Sequence, residues 1–338
     1  MIRLGIIGAG TMGRLYAHAY TQHPGTTVTA ICDLNEAAAR SLANEFGIAS
    51  VFNSYQQMLD EAEMDAVVVA TPDFAHRDPV IACLDAGKHV LCEKPMATTV
   101  EDCRQMVEAV ERNGKQLMVN FGNRHRPASK LLKQRLAAGE LGAIEYVYMR
   151  LNEKRTKTDT LAWAEQTSPL WFLLSHVTDY VRWLIDAEIR NVYGLGYTGY
   201  LQREKGLNTP DTMAFLLKFE NGTVASVESS WVLPESYPRN VDLQIEIIGE
   251  LGTMQLDFYA GSLHAFSESP ADLAWDWGMP GPTGLVTGWW LDSCAYFIHC
   301  LETGEHARPD AQDGLAVVAA LVAMQESFDT GEVIRVLR

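Results

Sequence analysis

The sequence predicts a two-domain α/β protein, with a parallel, doubly wound sheet in residues 1–121 and a separate α+β domain in residues 122–338. Three observations lead to this prediction. The first third of the chain alternates short apolar runs with helical patterns, which is typical of a parallel sheet covered on both faces. A glycine-rich turn follows the first apolar run. Later strands are longer and alternate in polarity, which favours an open, mostly antiparallel sheet flanked by helices.

The first domain alternates strands and helices from its first residues onward. Its predicted strands are 2–7, 28–32, 65–70, 89–92 and 117–119, with a weaker one near Val51. Its predicted helices are 11–22, 35–46, 75–86 and 101–112. Because ligands of such sheets bind at the carboxyl ends of the strands, the residues that follow each strand are the candidates for a functional site.

A glycine-rich turn separates the first strand from the first helix. Its first glycine allows a tight turn, its second lets the backbone approach a pyrophosphate, and its third lets the helix pack on the strand. The helix N-terminus adds unpaired N–H groups and a partial positive charge. The turn therefore predicts a Rossmann-type dinucleotide site. Its predicted cofactor-binding residues are Gly8, Ala9, Gly10, Thr11, Met12 and Gly13.

Asp33 follows the second predicted strand and is the candidate ribose ligand. A carboxylate at this place accepts hydrogen bonds from the adenosine ribose hydroxyls and repels a 2′-phosphate. No arginine directly follows Asp33. The sequence therefore favours NAD over NADP as the cofactor.

Two further loops fall at strand ends and supply candidate cofactor contacts. Thr71 and Pro72 follow the third clear strand, with His76 nearby, and Glu93 and Lys94 follow the fourth. The ordinary alternatives are a helix entry with proline in its first turn and a solvated surface lysine. A lysine between an acidic residue and a proline, at the carboxyl edge of a nucleotide-binding sheet, favours a functional role instead. Its ammonium group can donate to a substrate hydroxyl and to the nicotinamide ribose.

These motifs resemble the Gfo/Idh/MocA family, which includes glucose–fructose oxidoreductase and inositol dehydrogenase. The resemblance is carried by the glycine-rich turn, by Asp33, by Ala70-Thr71-Pro72 with His76, and above all by the sequence GKHVLCEKP at 87–95. It extends over essentially the whole chain. It implies a Rossmann domain followed by an open-sheet domain, and redox chemistry at a carbinol of a sugar, inositol or related polyol with NAD(P).

The resemblance also implies roles for individual residues. Carried over by position, Lys94 is the catalytic lysine and His176 is the proton-transferring histidine. In many members the lysine–proline bond is cis, so we expect the same of Lys94–Pro95. The family further implies a homodimer or homotetramer that uses the free face of the second sheet.

The helix predicted to begin at Ser168-Pro169 carries His176 and departs from the family pattern. The family usually has an aspartate four residues before this histidine, on the same helix face. Here that residue is Phe172, which can neither hold a histidine tautomer nor bind a hydroxyl. Asp179 matches a later aspartate of the family, and both Phe172 and Asp179 are candidate substrate neighbours.

Three interpretations of this departure stay open. His176 acts with Lys94 alone, or the missing carboxylate is replaced from elsewhere, or the chemistry is weakened and the chain is a binding protein. The candidates for a replacement are Asp159, Glu165 and Tyr200.

The second domain contains two further candidate substrate ligands, Arg124 and Trp277, among its predicted elements. Its predicted helices are 124–138 and 315–328, and its strands are 145–151, 192–197, 213–219, 223–231, 243–248, 253–258 and 333–337. Arg124 is a candidate substrate ligand, with an interdomain salt bridge as the ordinary alternative. Residues 275–290 are rich in glycine, proline and tryptophan and predict a loop, in which Trp277 either stacks on a sugar ring or is buried in a neighbour.

Composition and charge limit the partners of this 338-residue chain. It has 27 Lys+Arg against 43 Asp+Glu, a net charge of −16, which disfavours nucleic acid and anionic membranes as partners. Its six cysteines form no C-x-x-C pair, so we expect buried free thiols and neither a disulfide framework nor a metal site. The N-terminus shows no secretory signal, so we expect a cytoplasmic location.

Three functions are therefore compared. The leading hypothesis is an NAD-dependent dehydrogenase or reductase acting on a CH–OH group. The second is a glycoside-processing enzyme that retains NAD through a transient oxidation. The third is a non-catalytic, NAD-responsive regulatory protein, and Phe172 is the residue that supports it.

Overall fold

The structure is a computed structural model, and it describes residues 1–161, 163–258, 262–266 and 288–338. Contacts divide the chain into two compact units. The first contains Met1–Gly122 and the described part of Gly278–Val318. The second contains the described part of Asn123–Trp277, together with Ala319–Arg338.

The first unit is a six-stranded parallel sheet with helices, as the sequence predicts. Its strands are β1 Ile2–Ile7, β2 Thr26–Cys32, β3 Ser50–Phe52, β4 Ala66–Val69, β5 His89–Cys92 and β6 Leu117–Val119. Its first helices are α1 Thr11–Gln22, α2 Glu36–Phe46, α3 Tyr55–Glu61, α4 Arg77–Asp85 and α5 Val100–Asn113. The strand order is β3-β2-β1-β4-β5-β6, so the order reverses beside β1. Ligands of such sheets bind at this switch point, outside the carboxyl ends of β1 and β4.

The central strand β4 of this sheet is buried on both faces. None of its residues has exposed surface, which explains why the strand is a continuous apolar run of one alanine and three valines. The short helix α3 was not predicted, because only Met58 among its seven residues is buried and a single buried residue gives no helical period.

The second unit is a mixed sheet with helices. Its helices are α6 Pro127–Ala137, α7 Lys157–Thr160, α8 Ser175–Ile185 and α9 Tyr200–Lys205, and a π-helical turn covers Leu170–Leu174. Its longer strands are β7 Ile144–Lys154, β8 Ile189–Tyr197, β9 Thr212–Phe219, β10 Val224–Leu233, β11 Val241–Gly249, β12 Gly252–Asp257 and β13 Ser262–Phe266. α8, the helix that carries His176, packs on β7 and β10.

The last elements of the chain belong to both units. They are α10 Trp289–Thr303, α11 Ala311–Thr330 and β14 Ile334–Arg335. The sequence predicts that all of them lie in the second domain, and the structure differs for residues 288–318, which belong to the first unit. Cys294, Phe297, Ile298 and Cys300 of α10 are buried in the hydrophobic core of the first unit. The apolar side chains of α10 therefore explain why the chain returns to that unit.

The second sheet has eight strands in the order β13-β12-β11-β7-β10-β9-β8-β14. Its neighbours pair antiparallel except β7 and β10, which are parallel. This confirms the prediction of an open, mostly antiparallel sheet. β9 alternates as expected, with Phe215 and Leu217 buried and Leu216 exposed.

Two further observations concern the chain as a whole. The six cysteines all lie within the described residues, and each is free and buried. None of the helices in the described part of the chain is long and apolar enough to cross a lipid bilayer.

Candidate functional site

The glycine-rich turn after β1 has the geometry that a pyrophosphate site requires. Gly8 has a φ of +106°, and a Cβ there would lie 2.5 Å from the Ala70 carbonyl oxygen. A Cβ on Gly13 would lie 1.9 Å from the Gly8 carbonyl oxygen, so only glycine permits this helix to sit so close to the turn. A Cβ on Gly10 would meet no described atom within 4 Å. The backbone at Gly10 is therefore open to a ligand, and the turn fits a dinucleotide.

Helix α1 begins directly after this turn with its N–H groups uncapped by a side chain. Gly10 is the N-cap residue, and the first turn of the helix contains no acidic residue. The first N–H groups of a helix have no partner within it and carry a partial positive charge. An anionic phosphate can accept hydrogen bonds from these N–H groups and is attracted by their partial positive charge. Ala9, Thr11 and Met12 complete the turn, as predicted from the sequence.

Asp33 lies at the end of β2 and is oriented by two backbone groups. Its Oδ2 accepts a hydrogen bond from the Ala9 N–H at 2.7 Å, and its Oδ1 accepts one from the Asn35 N–H at 2.8 Å. A carboxylate has about four acceptor positions, so two remain for other donors. The carboxylate is thus fixed beside the glycine turn and can still accept ribose hydroxyls.

His76 joins the loops that follow β4 and β5. The side chain is buried, with Nε2 2.9 Å from the Thr71 carbonyl oxygen and Nδ1 2.9 Å from the Pro95 carbonyl oxygen. Each ring nitrogen therefore faces a backbone carbonyl oxygen, and a nitrogen that carries a proton donates to it. His76 consequently fixes the loop of Thr71 and Pro72 against the loop that carries Lys94.

Lys94 is the second residue after β5. The Lys94–Pro95 peptide bond is cis, which confirms the expectation drawn from the resemblance. Lys94 is partly exposed, whereas Glu93 and Pro95 on either side are buried. Its backbone N–H donates to the Glu93 carboxylate at 3.2 Å. Lys94 is thus a partly exposed residue within a buried stretch of the chain.

The Glu93 carboxylate is the centre of a buried polar cluster, which comprises Tyr16, Glu93, Asn120 and Ser293. Its Oε1 accepts from the Tyr16 hydroxyl at 2.5 Å and from the Asn120 amide at 3.1 Å. The Asn120 amide also donates to the Tyr16 oxygen at 2.5 Å, and the Ser293 hydroxyl donates to the Asn120 carbonyl oxygen at 2.6 Å. Burial, followed by the nearby Glu93 charge, raises the pKa of the Tyr16 phenol well above its usual value. Tyr16 therefore keeps its proton and acts as a donor.

Of this cluster, only Glu93 is a candidate from the sequence. Tyr16 lies in α1, Asn120 follows β6 and Ser293 lies in α10. Residues so distant along the chain give no spacing pattern. The position of Asn120 at the end of a strand of the first sheet was the one available signal.

In the second unit, Arg124 and Asp179 bind each other. Arg124 Nε donates to Oδ2 of Asp179 at 2.9 Å and its Nη2 donates to Oδ1 at 2.5 Å, and both side chains are buried. The guanidinium carbon also lies 5.8 Å from the centre of the Trp183 ring. The two candidate substrate ligands thus form a buried bidentate pair that anchors α8.

His176 is the second residue of α8, and the chain before it is not a regular α-helix. Residues Leu170–Leu174 form a π-helical turn. The Ser168 hydroxyl makes no hydrogen bond within the described residues, so the predicted N-cap at Ser168 is wrong. A π turn is wider than an α turn, and Phe172 therefore does not stand in an ordinary i, i+4 relation to His176.

Phe172 is packed against aromatic and cationic neighbours. Its ring centre lies 5.8 Å from that of the buried Trp231, and the Lys157 ammonium lies 4.9 Å from the ring centre. Asp159, one possible replacement carboxylate, pairs with Lys205 at 2.6 Å. The other two candidates differ in their surroundings: Glu165 is exposed and the ring of Tyr200 lies under Arg155, 4.6 Å from its guanidinium carbon.

The tryptophan-rich segment is only partly described. Trp277 lies outside the described residues. The prediction of a loop is wrong at Trp289 and Trp290, because both residues begin α10. The Trp290 ring packs on Tyr16, with 4.7 Å between ring centres. The described residues contain no group of three or more side chains that could hold a metal ion.

The strand order, the glycine turn and Asp33 together define a dinucleotide-binding protein with a Rossmann domain. Comparison with known proteins agrees. Residues 2–121 match the model of the Gfo/Idh/MocA oxidoreductase family with an NAD-binding Rossmann fold, and residues 129–255 match the model of its C-terminal domain.

Relatives match over the whole chain. The chain is 30% identical to inositol 2-dehydrogenase 3 of Saccharopolyspora erythraea, covering 99% of this chain and 95% of the relative. It is 31% identical to inositol 2-dehydrogenase of Rubrobacter xylanophilus, covering 98% and 92%. Among solved structures, levoglucosan dehydrogenase with NADH has a TM-score of 0.87 at 25% identity, covering 100% and 99%. The scyllo-inositol dehydrogenase of Lactobacillus casei with NAD(H) and scyllo-inositol has a TM-score of 0.86 at 21% identity, covering 99% of each chain.

The chain belongs to the Gfo/Idh/MocA family of NAD-binding oxidoreductases. This confirms the resemblance that the motifs indicate, the two-domain fold class, NAD as the cofactor and the dehydrogenase class of enzyme.

Proposed function

We propose that this protein transfers a hydride between NAD and a carbinol carbon of a sugar, an inositol or a related polyol. The observation that carries the proposal is the position of Lys94. It is the partly exposed residue in a buried run at the carboxyl end of β5, in the sheet whose β1 end carries the glycine turn. The inositol 2-dehydrogenases among the relatives support the polyol as the substrate class.

Each residue of the proposed site has a separate task. The glycine turn and the N-terminus of α1 bind the pyrophosphate, and Asp33 accepts the adenosine ribose hydroxyls. Lys94 polarises the substrate oxygen, and His176 accepts the proton of the substrate hydroxyl or returns it. When bound, NAD supplies the hydride acceptor or donor. Arg124 and Asp179 contribute as the buried pair that fixes the helix of His176.

Phe172 bears on how His176 works. Because phenylalanine offers no acceptor, we assign proton transfer at the substrate oxygen to His176 and polarisation of that oxygen to Lys94, with no role for the residue at position 172.

The experiment that tests this function is a substrate screen by NADH absorbance. Inositols, aldoses, uronates and 3-oxo-glycosides are supplied with NAD or NADH, and at least one class is expected to change the absorbance. Product formed without net NADH, from a protein purified with its cofactor, would instead favour the NAD-retaining glycoside enzyme. Tight NAD binding with no turnover in any class would favour a regulatory protein.

Asp33→Asn is expected to weaken NAD binding about tenfold and to raise the relative affinity for NADP. The change keeps the shape of the side chain but removes the charge that accepts ribose hydroxyls and repels a 2′-phosphate. Calorimetry with NAD and with NADP measures the two dissociation constants. Glu63→Gln is the matched control, because it removes an exposed carboxylate paired with Arg3 elsewhere in the same unit. Equal effects of the two substitutions would refute the assignment of Asp33.

We also propose a homodimer or homotetramer that uses the free face of the second sheet. Leu195 and Tyr197 of β8 and Leu216 of β9 are 60%, 62% and 51% exposed. The register pairs Leu195 with Ala214, which shares the outward face of β9 with Leu216, so these apolar side chains are neighbours on one face. Exposed apolar surface of this kind favours a symmetric partner.

Leu216→Lys is expected to shift the protein to the monomer, because it places a charge in the proposed interface. Light scattering after size exclusion measures the mass. Leu251→Lys is the control, since Leu251 is also exposed but lies in the turn between β11 and β12. A wild-type monomer, or an unchanged oligomer in the Leu216 variant, would contradict the proposal.

A further inference from the structure

The backbone around Lys94 is held on both sides by buried side chains. Before Lys94, the Glu93 carboxylate accepts hydrogen bonds from the Lys94 N–H at 3.2 Å and from Tyr16 and Asn120. After it, the Pro95 carbonyl oxygen lies 2.9 Å from the His76 ring. A backbone held in this way fixes the position of the Lys94 Cα, from which the side chain extends, to a fraction of an ångström. A reacting group needs this precision.

Within the cluster, the donors and acceptors permit one arrangement. Ser293 donates to the Asn120 carbonyl oxygen, so the Asn120 amide group must face Glu93 and Tyr16. Tyr16 has a single hydroxyl proton. It donates that proton to Glu93 and accepts from Asn120. The hydrogen-bond directions therefore run from Ser293 through Asn120 to the Glu93 carboxylate.

The surroundings make this arrangement costly to disturb. Tyr16 and Ser293 have no exposed surface, and Asn120 and Glu93 are 3% and 7% exposed. If a buried carboxylate loses a hydrogen-bond donor, water does not replace that donor as it would at the surface, and the carboxylate is left unsatisfied. In such a low-dielectric environment, hydrogen bonds to the charged group are stronger than in water and reinforce one another.

We propose that Tyr16, Asn120 and Ser293 are positioning residues for Lys94, which they hold through the Glu93 carboxylate. The inference rests on the proposed function of Lys94 and extends its site to α10, a helix from the far end of the chain. These residues act through Glu93 and are not themselves catalytic.

The test removes single hydroxyl groups from the cluster with Tyr16→Phe and Ser293→Ala. Tyr20→Phe is the matched control. Tyr20 lies one turn further along α1, is as buried as Tyr16 and stacks on it. The Tyr20 hydroxyl donates to the Cys294 carbonyl oxygen at 3.5 Å and not to the cluster. For Tyr16→Phe and Ser293→Ala we expect kcat to fall about tenfold, while the Kd for NAD changes by less than about twofold. Tyr20→Phe is expected to leave both constants near wild type.

A second readout needs neither substrate nor cofactor. In the cofactor-free protein, the Lys94 amine is labelled with an acylating reagent and the rate is followed by peptide mass spectrometry. Because the released lysine moves more freely, its labelling rate is expected to rise about threefold or more in the two cluster variants, in line with the loss of one charge-assisted hydrogen bond. The rate at Lys88 is expected to be unchanged in all variants.

A double-mutant cycle separates positioning from general damage. In a Lys94→Ala background, Tyr16→Phe is expected to cause no further loss of kcat, because there is no lysine left to position. The inference is overturned if the Tyr16 effect persists in that background, or if Tyr16→Phe and Tyr20→Phe behave alike. Wild-type turnover in Lys94→Ala would overturn the proposed function itself, and the labelling rates would still decide the inference.

Discussion

Lys94→Ala is expected to reduce turnover about 10²- to 10⁴-fold while the Kd for NAD stays nearly unchanged. The glycine turn and Asp33, which we propose bind the dinucleotide, lie at the ends of β1 and β2 and do not depend on the lysine side chain. Removing the ammonium group takes away the polarisation of the substrate oxygen. Steady-state kinetics and calorimetry measure the two effects separately.

Lys88→Ala is the control for this substitution. Lys88 lies just before β5 and Lys94 just after it, so the same change is made at opposite ends of one strand. Lys88 donates to the Met64 carbonyl oxygen at 2.8 Å, and its loss is expected to have a small effect on stability and none on kcat. If Lys94→Ala turned over an identified substrate at the wild-type rate, the lysine would have no catalytic role.

Arg124→Ala is expected to lower the free energy of unfolding by about 3–5 kcal/mol, because it leaves the buried Asp179 charge without its partner. For a protein of this size the midpoint of thermal unfolding should fall by roughly 4–7 °C. Scanning calorimetry or urea unfolding measures the change. Arg112→Ala, which breaks an exposed pair with Asp85, is the matched control and is expected to cost less than about 1 kcal/mol.

Replacing both partners distinguishes a structural pair from substrate ligands. Arg124→Met combined with Asp179→Leu removes both charges and fills the space, so most of the lost stability is expected to return. The KM for the substrate should then stay near wild type. A double variant that is stable but has lost substrate affinity would show that at least one of the two residues contacts the substrate.

Much of the first unit could be predicted from the sequence, because its signals are local. Continuous apolar runs such as β4 identify buried parallel strands. Gly8 and Asp33 directly follow β1 and β2, Lys94 comes two residues after β5, and Gly13 lies in the first turn of α1. The conformational demands at Gly8 and Gly13 are those inferred from the motif. These residues could be found because the backbone geometry that requires them is set within a few positions of the chain.

The elements that escaped prediction depend on distant contacts. α10 carries apolar residues around much of its surface, so its sequence shows no helix face and its start was interpreted as part of a loop. The π-helical turn before His176 replaces the capped α-helix that Ser168-Pro169 suggested. The other members of the cluster around Glu93 lie in α1, directly after β6 and in α10, and nothing in their spacing indicates that they meet.

Because α10 belongs to the first unit, it limits where a chimera between this protein and a relative can be joined. A single crossover near residue 122 would combine one parent's first sheet with another parent's α10, so Phe297 and Ile298 would enter a core that had not changed with them. Ser293 would likewise face a foreign asparagine or its substitute. Functional chimeras in this family are therefore expected to require two junctions, one on each side of the second unit.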